Sequence, residues 1–97
     1  MNILVIDGQG GGIGRQLITL LRQELPSVFI TAVGTNNTAA MNMLKAGADE
    51  AASGENPVIV ACRKADVIVG PAGIVIADSM LGEITPKMAA AVSQSSA

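Results

Sequence analysis

Histidine, tyrosine and tryptophan are missing from this 97-residue sequence, and phenylalanine and cysteine occur once each, as Phe29 and Cys62. Without histidine there is no Ser–His or Cys–His nucleophile and no imidazole metal site; without tyrosine there is no phenolic acid or base. Stacking of nucleic-acid bases has only Phe29 to draw on. Charge is scarce too. Six Lys and Arg face eight Asp and Glu, for a net charge of −2. No basic stripe can form, which argues against a nucleic-acid partner. Cys62 has no second cysteine for an internal disulfide, in keeping with a reducing compartment. The longest uncharged apolar stretch, Val67–Ala77, is broken by Gly70, Pro71 and Gly73. It falls far short of the ~20 residues a membrane helix needs. Met1 and Asn2 lead directly into Ile3-Leu4-Val5-Ile6 with no basic leader. The expectation is a cytoplasmic protein with no membrane partner.

What the sequence does have is aliphatic residues: 49% of the chain is hydrophobic. That excludes a disordered tail, and the length suits one domain over residues 1–97. A chain of this size buries roughly 60–65% of its unfolded surface. With so few charges to cover the remainder, a homo-oligomer is expected, in contact through the segment Ile74–Val92.

Strands and helices alternate along the chain. Ile3–Ile6 is a continuous apolar run of the kind buried on both sheet faces. A glycine-dense turn follows, and then Ile13, Leu17, Leu20, Leu21 and Leu25 recur at helical spacing until Pro26. Val28–Val33 reads as a second strand, and Asn36 or Asn37 as the cap of a helix closed by Gly47. Ala48–Ala52 reads as a short third strand in spite of Asp49 and Glu50. Asn56-Pro57 predicts the cap and first residue of a helix reaching Ala65, and Val67–Val69 a further strand. Ile74–Ala77 is strand or helix; so short a run does not decide. Thr85-Pro86 starts a final Ala-rich helix. Such alternation predicts an α/β fold, a small Rossmann-like parallel sheet with flanking helices, with a further strand due after the last helix.

The segment richest in chemistry is the first strand-to-helix turn, with five glycines between Gly8 and Gly14. Glycine lets backbone N–H groups approach a ligand with no Cβ in the way, and the N-terminus of the following helix favours an anion. Gly8, Gly12 and Gly14 have G-x-x-x-G-x-G spacing. With Asp7, Gly10, Gly11, Ile13 and Arg15, this segment resembles the cofactor loop of the short-chain dehydrogenases/reductases, T-G-x-x-x-G-I-G. Asp66-Val67-Ile68-Val69-Gly70-Pro71-Ala72-Gly73-Ile74 is more weakly similar to that family's D-x-x-V-N-N-A-G-I, keeping only Ala72 and Gly73 of its N-N-A-G tetrad. The resemblance implies a pyrophosphate over Gly8–Gly14 and an adenosine ribose beside Gly70–Gly73. It also implies NAD(P), or another nucleotide, as ligand.

Departures from the family pattern redirect the reading. Its Y-x-x-x-K catalytic pair cannot exist without tyrosine, so dehydrogenase catalysis is excluded. Asp7 replaces a threonine and brings a carboxylate toward any bound phosphate. The second strand ends in Gly34, Thr35 and Asn36 where an acid would hold the ribose, leaving only the polar groups of Thr35 and Asn36. Over its whole length, including Gly70-Pro71-Ala72-Gly73 and the stretch Asp78–Pro86, the chain more closely resembles a small uncharacterised family of bacterial Rossmann-like proteins.

Plainer readings stand beside these. The glycine turn can be an empty tight connection within an oligomeric interaction subunit. Arg15 is a phosphate ligand or a solvated helix residue. Cys62 is an activated thiol beside Arg63 and Lys64, or a small core hydrophobe. Asp78 and Glu83 are surface acids and caps, or, together with Asp7, the acids of a small hydrolase or transferase acting on a phosphorylated substrate.

Overall fold

A computed structural model describes residues 1–97. Its elements in chain order are β1 (Asn2–Asp7), α1 (Gly12–Glu24), β2 (Phe29–Gly34), α2 (Asn37–Lys45), β3 (Glu50–Ser53), α3 (Glu55–Lys64) and β4 (Val67–Val69). A single 3-10 turn (Ala72–Val75) and α4 (Pro86–Gln94) complete the chain. The four strands form one parallel sheet in the order β3-β2-β1-β4. This is a Rossmann-like arrangement. The chain steps outward from β1 to β2 and β3, then returns across the sheet to place β4 on the far side of β1. Strand order therefore reverses between β1 and β4, the place where open α/β sheets present their ligand crevice.

Side-chain alternation along β1 explains the layering. Ile3 and Val5 join Ile30, Ala32, Ile18 and Met43 in one cluster, on the side of α1 and α2. Leu4 and Ile6 join Val33, Val58, Cys62, Ile84 and Met88 in the other, on the side of α3 and α4. A strand with both faces buried needs apolar residues at every position, which is why its sequence reads as an unbroken run.

Local departures from the sequence reading have physical causes. In α1 the buried positions are Gly14 and Ile18, with Leu17 and Leu21 packed alongside. Ile13, Leu20 and Leu25 are about half exposed, so the inward stripe runs from Gly14 rather than Ile13. A glycine has no hydrophobic side chain to announce an inward position. β3 begins at Glu50 because Asp49 turns its carboxylate back to accept from the Ile30 N–H at 2.7 Å. Arg22 holds the same corner, donating to the Gly47 and Val28 carbonyls and pairing with Asp49. In α3 the cap is Gly54, and Pro57 falls within the first turn, where proline is still tolerated. Asn36 and Thr85 cap α2 and α4 as expected, accepting from the N–H of Ala39 and Met88. Ile74–Ala77 resolves into the 3-10 turn and the irregular chain after it.

Gly34 marks where β2 meets α2 at closest approach. A Cβ there would lie 2.5 Å from the Ala40 nitrogen and 2.6 Å from the Asn36 carbonyl oxygen, both backbone atoms with little room to yield. Gly34→Ala is expected to lower stability by ~1–3 kcal/mol, the usual range for overpacking a tight contact. Gly10→Ala, where a Cβ meets nothing within 4 Å, should stay within ~0.5 kcal/mol of wild type. Urea unfolding of the two variants checks the contrast.

Candidate functional site at the first strand-to-helix turn

The turn from β1 to α1 is built around Asp7. Its side chain is buried, and its two oxygens accept separately, Oδ1 from the Gly8 N–H at 2.8 Å and Oδ2 from the Gly14 N–H at 2.7 Å. The carboxylate thus braces both ends of the turn from within, and both its oxygens are engaged by backbone donors. This corrects the reading of Asp7 as simply a charge set against a bound phosphate. Gln9 and Gly11 adopt left-handed φ of 52° and 73°, and the Gly11 N–H closes onto the Gly8 carbonyl at 2.9 Å. From the α2 side, Asn36 Nδ2 donates to the Gln9 carbonyl and Asn42 Nδ2 to the Gly10 carbonyl, each at 2.9 Å.

Glu83 reaches the same turn from a distant segment. Its Oε1 accepts from the Gln9 N–H at 2.8 Å, the Thr35 hydroxyl at 2.5 Å and the Asn36 amide at 2.9 Å. These bonds, the Thr35 hydroxyl first, hold the Glu83 carboxyl below the usual carboxylate range. The turn that carries it is tightly wound. Asp78, Met80 and Leu81 have left-handed φ of 67°, 55° and 57°, with Gly82 at 89°. Ser79 Oγ pins this turn to the Gly73 carbonyl at 2.6 Å, and Ile84 anchors it in the core.

The glycines of the first turn divide into two groups. Gly11 would press a Cβ onto Ala39 backbone atoms at 2.9 Å, and Gly14 would press one onto Met43 and Asp7, so packing requires glycine at both. Gly8 is crowded by Thr35 Oγ1 and Met80 Sδ, at 2.6 and 2.7 Å from a Cβ. Gly10 and Gly12 have neither a neighbour within 4 Å nor a positive φ. The N–H groups of Gly10, Gly12 and Ile13 find no acceptor within the chain, and all three residues are exposed. Arg15 is exposed one residue beyond Gly14 and forms no ion pair.

The second glycine motif directly follows β4. A Cβ on Gly70 would run into the Ile6 carbonyl oxygen, so this glycine lets β4 lead into its turn close beside β1. Met80 stands between the motifs, with Sδ against Gly8 and Cε 3.7 Å from a Cβ on Gly73. Pro71 and Ala72 line a groove of about 500 Å³ with Ile74, Val75 and Val92, and no residue of the first turn contributes to it. Thr35 and Asn36 do face the first turn, but their polar groups are engaged by Glu83, Gln9 and Ala39. Asp78 is exposed, and no three His, Cys, Asp or Glu side chains gather as a metal site. Cys62 is a core residue whose thiol is pushed up by burial, not activated.

Strand order, crossovers and the glycine turn define this molecule as a Rossmann-like α/β protein, a topology compatible with nucleotide binding in general. The chain belongs to the family described as Domain of unknown function (DUF3842), whose model matches residues 2–97. Neither the curated proteins nor the solved structures contain a match to it. No helix is long and apolar enough to cross a membrane.

Glu83 and Asp49 generate a pH expectation. Asp49 is also held below its ordinary value, first by the Ile30 N–H and then by Arg22. A carboxyl depressed in the folded state binds fewer protons there than in the unfolded chain, so its contribution is complete above the unfolded value. It is lost as pH falls through the folded one. Stability should be flat from neutral pH down to about pH 5 and then decline. Combining Asp49→Asn with Glu83→Gln should flatten that acid decline, as read by urea midpoints across the acid range.

Proposed function

We propose that this protein is a nucleotide-binding module, with NAD(P) the first candidate, whose ligand's phosphate lies at the N-terminus of α1. One observation carries the reading. Gly10 and Gly12 are glycines at which neither backbone angle nor packing calls for glycine, beside three N–H groups without acceptors. Bare backbone with free donors at a helix N-terminus is what close approach of a phosphate uses. Arg15, exposed on the first turn of α1, adds a cation within the same region. The motif formed by Gly8, Gly12 and Gly14, with Gly11, Ile13 and the more distant Gly70–Gly73, extends the likeness to the cofactor loops of short-chain dehydrogenases/reductases. The reading is of binding without dehydrogenase chemistry, since the chain has no tyrosine to serve as its acid.

Gly12→Val tests it. A Cβ at Gly12 has no neighbour within 4 Å, so the fold should survive, while the branched valine side chain fills the space a phosphate would enter. Wild type should gain about 2.7 kcal/mol of stability at a nucleotide concentration 100 times Kd. The variant should gain none. Calorimetry with NAD+, NADP+, ADP and ATP giving equal affinities for wild type and a folded Gly12→Val protein would overturn the proposal.

A second reading, self-association, is favoured by the segment Ile74–Val92. Val75 and Ile76 are about half exposed there, and Leu81 is 98% exposed at the tip of its turn. Sedimentation should report a dimer or larger species that Leu81→Ser weakens; a monomer at high micromolar concentration would rule this out.

A further inference from the structure

Leu81 is the most exposed large hydrophobic residue of the chain, at 98%. It stands on the turn that packs against the glycine turn, at the C-terminal end of the sheet. Asp78, Met80 and Leu81 itself are left-handed there, a backbone that is costly unless the surroundings enforce it. They do so through Ser79, which donates to the Gly73 carbonyl, through Glu83 on Gln9, Thr35 and Asn36, and through buried Ile84. The result is a rigid turn whose tip holds an apolar side chain out in water. That placement adds nothing to the core, but a rigid apolar tip loses little conformational freedom on meeting a partner.

At the other end of the sheet, between α3 and the starts of β1, β2 and β3, lies a cavity of about 270 Å³. Phe29 of β2, Ala52 of β3 and Pro57, Val60 and Ala61 of α3 give it apolar walls. Phe29, the one aromatic residue, is 44% exposed. Glu50, on the β3 side, is engaged by the Thr31 hydroxyl at 2.9 Å. Lys64, on the α3 side, is exposed and forms no ion pair. Asp78, three residues before Leu81, is likewise exposed and forms none.

Tip and cavity thus match in polarity and in charge: a leucine beside an unpaired acid, apolar walls beside an unpaired base. Lying at opposite ends of the sheet, they cannot meet within one chain. We propose that Leu81 of one copy seats in this cavity of a second copy, with Asp78 directed to Lys64, so that copies join head to tail. This rests on the self-association reading of the segment Ile74–Val92 and names the surface that receives it. A net charge of only −2 sets little repulsion against association. The charge pair contributes orientation more than affinity, while Val75 and Ile76, about half exposed just before the turn, add apolar area. A contact between unlike surfaces leaves a free tip and a free cavity at its ends, so association continues to a ring or a filament.

Sedimentation of wild type should therefore show species beyond the dimer. Leu81→Ser removes the tip, and Ala52→Glu puts a charge into the cavity at an exposed position that the fold tolerates. Each variant alone should associate about tenfold or more weakly, the scale of a central interface residue. An equimolar mixture of the two should nevertheless form a one-to-one dimer, because one intact tip and one intact cavity remain. Lys64→Glu should also weaken association, and Asp78→Lys in the same chain should restore it; this pair carries the test if Ala52→Glu fails to fold.

If folded Ala52→Glu associates as wild type does, Leu81 seats elsewhere and the docking assignment fails while self-association stands. A mixture that stays monomeric would overturn the seating as well, and a wild type that stops at a dimer would overturn the head-to-tail arrangement. Failure of the charge exchange to restore association would overturn the pairing of Asp78 with Lys64. A wild type that is monomeric at high micromolar concentration removes the self-association reading itself, leaving the cavity to some other occupant.

Discussion

The buried Asp7 carboxylate is the constraint on which the site depends. It stands at the C-terminal end of the central strand, where a negative charge is costly unless hydrogen-bonded. Here two backbone N–H groups meet it, one from the start of the turn and one from the first turn of α1. The aspartate thereby sets the distance between the end of β1 and the beginning of α1. Gly11 and Gly14 then have to be glycine, because the helix start is drawn down onto Ala39, Met43 and Asp7 itself. The same brace limits what is left for a ligand. Gly8 and Gly14 have given their donors to Asp7, and only Gly10, Gly12 and Ile13 remain.

Around this brace the turn is tied down from two sides. Asn36 belongs to the N-terminus of α2: its Oδ1 caps Ala39 while its Nδ2 reaches the Gln9 carbonyl and Glu83. Asn42, one turn into the same helix from Ala39, holds the Gly10 carbonyl. From the β4 side comes the turn that holds Ser79, Met80 and Glu83, folded back by three left-handed non-glycine residues and anchored by Ile84. Left-handed backbone is costly for residues with side chains and persists only where the surroundings enforce it. The sequence separation is large, but the sheet topology makes the contact short. Because β4 lies beside β1, the chain leaving β4 emerges next to the glycine turn.

Much of the fold is legible in the sequence because the features that specify it are local. Ile3–Ile6 is a continuous apolar run because its strand is packed on both faces, and Asn36 and Thr85 announce helices by bonds to residues three positions on. The phase of α1 is only partly legible, since one of its two buried residues, Gly14, carries no hydrophobic signal. The start of β3 is displaced by Asp49, whose bonds go to Ile30 and Arg22, neither a sequence neighbour. The site divides the same way. Its glycines are visible as a cluster, but which of them packing requires depends on Ala39, Met43 and Met80 from other elements. Glu83 is visible only as one acid among eight. Its partners lie 47, 48 and 74 residues away, and no spacing rule spans such distances.

The division among the glycines also bears on the plainer alternative, an empty turn. A turn needing glycine only for its own geometry would show it at left-handed φ or at tight contacts. Gly8, Gly11 and Gly14 satisfy that description. Gly10 and Gly12 do not: their angles suit any residue, and the space beside them is open. Glycine in such a position increases the conformational freedom lost on folding and contributes no packing in return. The fold would be no worse with alanine at either position. What alanine would change is the outer surface of the turn, where the backbone donors of Gly10, Gly12 and Ile13 are exposed. The two glycines with no internal task are thus the two that bear on whatever meets that surface.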